Sequence, residues 1–312
     1  MTLVNPGLAH PKYKLGLLPP DPSRKVLKLR WRQGVVPPSP DRVDHLTGWS
    51  FDMGGNNQFG TCGPTSVANS EEMTTAWLSP PEKEIALNDV FDLYRRSGNP
   101  NFDPRTGRGD AGVVMSVMLS ALQRGGIGGH TPLAYAQLDD TSDASVAACI
   151  DRFGGVLFAV TLEVAQQHQT DLGTWDYSRS SVWGGHAILA GAYDLPSGMF
   201  DVVTWQKRVR TTQRFRRNQL DEVWVILWPD IVNSGKLFDA GVDLVQLAAD
   251  YETLTGRAFP VPVPPEPSPP PALDTVTIIA GSKTIKYPPG WTAVPSTAGV
   301  PLCETCDPPP QG

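Results

Sequence analysis

Cysteine is scarce in this chain. Four in 312 residues are too few for a disulfide-built scaffold at that length. Long apolar runs are also missing: no stretch of about eighteen apolar residues occurs, so no transmembrane helix and no membrane partner are expected. The opening residues, MTLVNPGLAHPKYKLGLLPPDP, have early prolines and no continuous apolar core, which does not read as a secretory signal. Positive charge is not in excess either. The formal net charge is -6, and nothing calls for a nucleic-acid partner. The basic group Arg208, Arg210, Arg214, Arg216 and Arg217 is local and reads as a solvated helical face. What remains is a globular composition, 40% hydrophobic and 19% charged, long enough for one large domain or two ordinary ones.

Proline is plentiful, 31 residues, and unevenly placed. Residues 1–48 carry LGLLPPDPS and GVVPPSPDRVD and read as an extended arm lying over a domain. Residues 49–258 alternate helical and strand-like patterns and form the expected domain. From 259 to 312, FPVPVPPEPSPPPALD marks a stiff linker, followed by a small appendage with two short strands around Gly281-Ser282. Within the domain, helices are expected from Pro64 to Trp77, Ala86 to Arg95 and Gly112 to Leu122. Strands are expected over Gly155–Leu162, Ala187–Tyr193, Met199–Trp205 and Glu222–Trp228. Helices come first and strands cluster late, which favours an α+β fold over a doubly wound parallel sheet.

Two residues stand out for chemistry. In GGNNQFGTCGPTSVANSEEM, Cys62 directly precedes a helix, where unpaired N–H groups and the helix dipole favour thiolate. Gly60 and Gly63 on either side permit close backbone approach. The plain alternative is a cysteine buried in a glycine turn. In SVWGGHAILAGAYD, His186 sits at the mouth of an apolar strand after two glycines, suited to be the base that a thiol nucleophile needs. A structural histidine at a strand end is the alternative. His10 and His45 lie in the arm, His130 in a glycine-rich loop and His168 in a polar helix. Cys149 sits in an apolar helical pattern, SVAACIDRF. Cys303 and Cys306 form a lone CETC, read as a disulfide or two idle thiols rather than a metal site.

A cysteine at a helix start, then G-H-A-hydrophobic running to G-x-Y about 120 residues on, resembles the papain-like cysteine peptidases. PPSPDRVDHL is similar to the Pro…Val-Asp-Trp segment that opens mature enzymes of that group. Within it, the chain is most similar to a little-characterised set of phage and bacterial proteins. The matching stretches are NNQFGTC, GIGGH at Gly126–His130, GGHA at Gly184–Ala187 and VVTWQ at Val202–Gln206, within residues 30–232. CGPTSVAN is also similar to peptidases that process double-glycine leaders. The resemblance implies a helical N-terminal part whose central Cys helix packs on a C-terminal antiparallel sheet. It implies Cys62 as nucleophile, His186 as base and an oxyanion amide from Asn56 or Gln58, with Asn56 ahead on register. Where the family places an orienting Asn, this chain has Val203. Thr204 follows it as a weak orienting group, and Asp201 is another choice on the opposite strand face.

Two functions follow. One is a cysteine hydrolase cutting a peptide or isopeptide bond in a peptide or protein substrate without a cofactor, with Asp110 and Gly112 lining the groove. Asp110 equally fits a helix N-cap. No inhibitory pro-segment is evident, although the first 40 residues are long enough to occupy that groove. The other is a papain-fold structural protein, weak or inactive as an enzyme, contacting neighbouring virion subunits. Either reading is compatible with a cytoplasmic or virion-associated location.

Overall fold

The computed structural model of the chain describes residues 10–48, 50–237, 241–263, 277–280 and 283–286. Two short strands come first, β1 (Lys28–Leu29) and β2 (Arg42–Asp44). Three helices follow, α1 (Cys62–Leu78), α2 (Leu87–Arg96) and α3 (Met115–Gly125). Strand and helix then alternate through β3 (Ala134–Leu138), α4 (Asp143–Phe153), β4 (Val156–Glu163), α5 (Ala165–Leu172) and β5 (Thr174–Trp175). The long strand β6 (Val182–Asp194) precedes β7 (Met199–Thr204) and β8 (Lys207–Thr211), and α6 (Gln213–Gln219) leads into β9 (Leu220–Leu227). Helices α7 (Pro229–Asn233) and α8 (Leu244–Thr255) complete a unit spanning 1–263. A second unit, 264–312, holds the antiparallel hairpin β10 (Thr277–Ala280) and β11 (Lys283–Lys286). Cys303 and Cys306 lie outside the described residues.

The architecture is α+β. One sheet runs in the order β1-β3-β9-β4-β6-β7-β8-β5, with β2 added along β6. Its neighbours are antiparallel except for β1 with β3 and β5 with β8. β6 is apolar on both faces from Ala187 to Tyr193 because helices cover one side and neighbouring elements the other. The helix expected from Pro64 to Trp77 is α1, buried on every side from Cys62 to Thr75. Two of its hydroxyls are satisfied within the helix: Thr74 and Thr75 donate to the Ser70 and Glu71 carbonyls one turn back. Ser66 Oγ donates to Ala187 O at 3.1 Å and ties α1 to β6. Fully buried side chains such as Phe158, Leu189 and Met73 each stabilise by about 1.5–3 kcal/mol.

Several expectations shift. α3 starts at Met115 rather than Gly112, because Gly112 N–H is held by Tyr94 Oη at 2.8 Å and Val113 is paired with the N-terminal arm. The basic residues form no single helical face. Arg208 and Arg210 lie on β8, whereas Arg214, Arg216 and Arg217 lie on α6. Four of them are paired: Arg208 with Asp44 and Asp201, Arg210 with Asp201, Arg214 with Asp176, and buried Arg216 with Asp143 at 2.8 Å. The packed chain also continues past 258. Phe259 sits edge-on to Tyr251 at 5.4 Å, and Val261 is buried.

Candidate active site

Cys62 is the first residue of α1, and its thiol is almost fully covered. The turn before it is braced from two sides. Thr61 Oγ1 donates to Gly54 O at 2.8 Å, and Gly60 N–H donates to the Asp110 carboxylate at 3.0 Å. Tyr94 Oη donates to the same carboxylate at 2.5 Å and accepts from Gly112 N–H. Asp110 is therefore a buttress between the Cys62 turn and the Gly112 loop. It does not cap α3, whose N-cap residue is Val114. The backbone N–H groups of Ala187, Gly16 and Gly63 are directed at the Cys62 sulfur. The thiol thus lies against the residue that follows His186.

His186 is fully buried on β6. Its Nε2 lies 2.7 Å from Thr204 Oγ1, while Nδ1 has no hydrogen-bond partner among the described residues. The family's orienting position falls on Val203, which offers no acceptor, with Thr204 as the candidate in its place. The register explains why Thr204 meets the imidazole and Val203 does not. Val203 pairs with Leu189 across β6 and β7, so it shares the face of odd-numbered β6 residues, opposite His186. Thr204 has the parity of His186. Asp201 is engaged by Arg208 and Arg210 and is not at the imidazole. Beyond Thr204 the β7–β8 turn is Trp205-Gln206, both with left-handed φ, 46° and 62°. Such φ values favour glycine or asparagine, so a Trp and Gln here carry strain. The turn lays the Trp205 ring on the His186 imidazole, centroids 4.2 Å apart and planes 14° from parallel.

The N-terminal arm runs through this cleft. Lys14 O accepts from Asn56 Nδ2 and from Trp205 Nε1, each at 3.2 Å, and Lys14 N–H donates to Asn56 O. Gly16 O accepts from Val113 N–H at 2.7 Å, Leu17 N–H donates to Gly185 O at 3.1 Å, and Leu18 N–H donates to Val113 O. The arm is stitched to both walls while passing over the thiol. Only glycine fits at its centre, because a Cβ on Gly16 would lie 2.1 Å from Gly60 O.

Under this cover the Cys62 thiol and the His186 imidazole are both neutral. Burial pushes the Cys62 thiol up to about 11, more than the three N–H groups pull it down. Burial alone pushes His186 down to about 3. The thiolate bias expected from the helix start is outweighed by desolvation in the closed state. Cys149 is likewise buried in α4, with its thiol raised by burial.

The remaining candidates separate. Asn56 is buried beside the cleft and offers its amide to a carbonyl there. Gln58 is exposed and lines a different hollow with Phe91 and Gln206. His130, in the GIGGH turn, faces Glu71 of α1 at 3.3 Å rather than the cleft. Among the described residues, no group of three or more His, Cys, Asp or Glu is placed to hold a metal ion. The part sequence reading did not locate is the arm's course, along with Tyr13, Asp171 and Lys207, whose contact depends on it.

No protein-family profile and no curated protein sequence matches the chain. Solved structures do. Xylellain, a cysteine protease from Xylella fastidiosa, aligns at 15% identity over 70% of this chain and 97% of its own, with a TM-score of 0.56. Procathepsin B S9 from Trypanosoma congolense aligns at 9% identity over 70% of this chain and 86% of its own, with a TM-score of 0.51. A braced cysteine at a helix start, a histidine on the facing strand and these alignments give one conclusion: the chain has the papain-like cysteine-protease fold.

Proposed function

We propose that the chain is a cysteine hydrolase that cuts a peptide or isopeptide bond and is held closed by its own N-terminal arm. The observation that carries this reading is the His186–Thr204 contact, which occupies Nε2 and leaves Nδ1 without a partner in a site shared with the Cys62 thiol. With the arm displaced, water and substrate reach the pair and the burial penalty falls. The Cys62 proton passes to His186 Nδ1, and Nε2–H donates to Thr204 Oγ1. The thiolate attacks the carbonyl carbon, and the oxyanion is held by Asn56 Nδ2–H and the Cys62 backbone N–H. Collapse returns the proton from Nδ1 to the leaving amine and leaves a thioester. His186 then takes a proton from water, which releases the acid and restores the thiol. Gln58 has no role in this scheme.

A second reading has one observation in its favour: Cys62 and His186 are both neutral and sealed under the arm. It is a papain-fold structural protein, with neighbouring virion subunits as partners. Hydrolysis of a fluorogenic peptide mixture separates the two. Gly16→Val in the full chain drives a side chain into Gly60 O and expels the arm. The hydrolase reading expects Gly16→Val to act well above wild type and above the Gly16→Val/Cys62→Ala blank. Activity no higher than the blank would leave the structural reading.

A further inference from the structure

Tyr13 of the arm fills a seat whose walls belong to the domain. Its ring lies 4.7 Å from that of Trp205, which also stacks on His186. Its hydroxyl donates to Asp171 Oδ1 at 2.5 Å and accepts from Lys207 Nζ at 2.8 Å. Lys207 Nζ also reaches Asp171 at 2.8 Å and lies 5.4 Å from the centre of the Tyr13 ring. Asp171 comes from α5, Lys207 from β8 and Trp205 from the turn beside the imidazole, so three separate elements converge on one phenol. His10 also stacks on Tyr13, with ring centres 4.5 Å apart, but it belongs to the arm and leaves with it.

The backbone next to this seat is held as a bound peptide would be. Lys14 O takes N–H bonds from Asn56 and Trp205, and two residues further on Gly16 lies at the thiol. Any extended chain laid through the cleft on these bonds presents a side chain to the seat. We propose that the Trp205–Asp171–Lys207 seat is a recognition pocket for the tyrosine side chain of an incoming peptide, filled in the closed protein by Tyr13. This rests on the hydrolase reading for its use, though not for its test. The ring face selects an aromatic group. The carboxylate acceptor beside an ammonium donor selects a phenol over phenylalanine, because only a hydroxyl serves both partners.

The test is binding to the full chain with Tyr13→Ala, which empties the seat. N-acetyl-tyrosinamide and N-acetyl-phenylalaninamide are titrated while indole fluorescence is followed. The expected result is saturable binding of the tyrosine amide, absent from wild type and about 5-fold tighter than the phenylalanine amide. Asp171→Asn in the same background should erase that preference. Equal binding to wild type and Tyr13→Ala would overturn the pocket, and equal affinity for both amides would overturn its reading of the phenol. If Tyr13→Ala does not fold, Gly16→Val exposes the same seat to the same probes. Adding Cys62→Ala should change none of these titrations, so failed hydrolysis and failed binding count against different claims.

Discussion

His186 Nε2 and Thr204 Oγ1 stand 2.7 Å apart inside the sheet, from strands whose register puts both residues on one face. In the proposed mechanism this hydroxyl stands in for the family's orienting amide, one residue further along β7 than the position Val203 fills.

Thr204→Val should therefore lower kcat by about 10- to 100-fold in the arm-displaced Gly16→Val protein, with KM little changed, because the imidazole loses its tautomer anchor. Thr204→Ser should keep most of the activity. Val203→Asn should not raise it, and should lower Tm by burying an amide on the face away from His186. Steady-state kinetics and thermal melts of the four proteins check this.

Glu71 gives a pH prediction. Its carboxyl is buried in α1 and makes no close hydrogen bond among the described residues; Lys83 Nζ is 3.6 Å away, His130 Nδ1 3.3 Å, and Asp230 also acts on it. Burial raises its pKa from 4.5 to about 7. The folded state thus holds its proton more tightly than the unfolded state. That contribution is fully present below pH 4.5 and is lost as pH rises through 7. Glu71→Gln should raise stability by about 3 kcal/mol at pH 8 and by little at pH 4.5. Denaturant unfolding at the two values tests it, and an equal effect at both would mean that the carboxyl does not titrate in that window.

The end of the packed unit is testable by truncation. A chain ending at Val263 should keep the Tm of its first unit. One ending at Ala258 removes the Phe259–Tyr251 contact and buried Val261, and should lose about 2–4 kcal/mol. Differential scanning calorimetry distinguishes them.

The sequence made the chemistry more legible than the cover over it. Cys62 before a helix and His186 on an apolar strand are local patterns, and both elements lie where periodicity placed them. β3 was missed because AYAQL alternates small residues with polar ones and lacks the β-branched signal of its neighbours. Thr204 reads from the sequence only as a weak orienting group because facing depends on register between two strands, which spacing to Trp205 does not encode. The arm's course rests on bonds from the main-chain groups of Lys14, Gly16, Leu17 and Leu18 to the Asn56 and Val113 loops, the Trp205 turn and Gly185 of β6. Backbone pairing over long separations leaves little trace in side-chain identity. Gly16 was the available signal, a glycine required by close approach to Gly60, and it is one glycine among 30.

The central claim is that Cys62 and His186 form one reactive pair beneath a removable arm. Iodoacetamide labelling at pH 6, mapped by mass spectrometry, addresses it most directly. Wild-type Cys62 should label as slowly as buried Cys149. In Gly16→Val, Cys62 should label at least about 100-fold faster than Cys149, as expected of a thiolate held by an imidazole. Adding His186→Ala should return it to the rate of an ordinary exposed thiol. If Cys62 in Gly16→Val labels no faster than an ordinary thiol, or at the same rate with and without His186, the two residues do not act as a pair and the account is wrong.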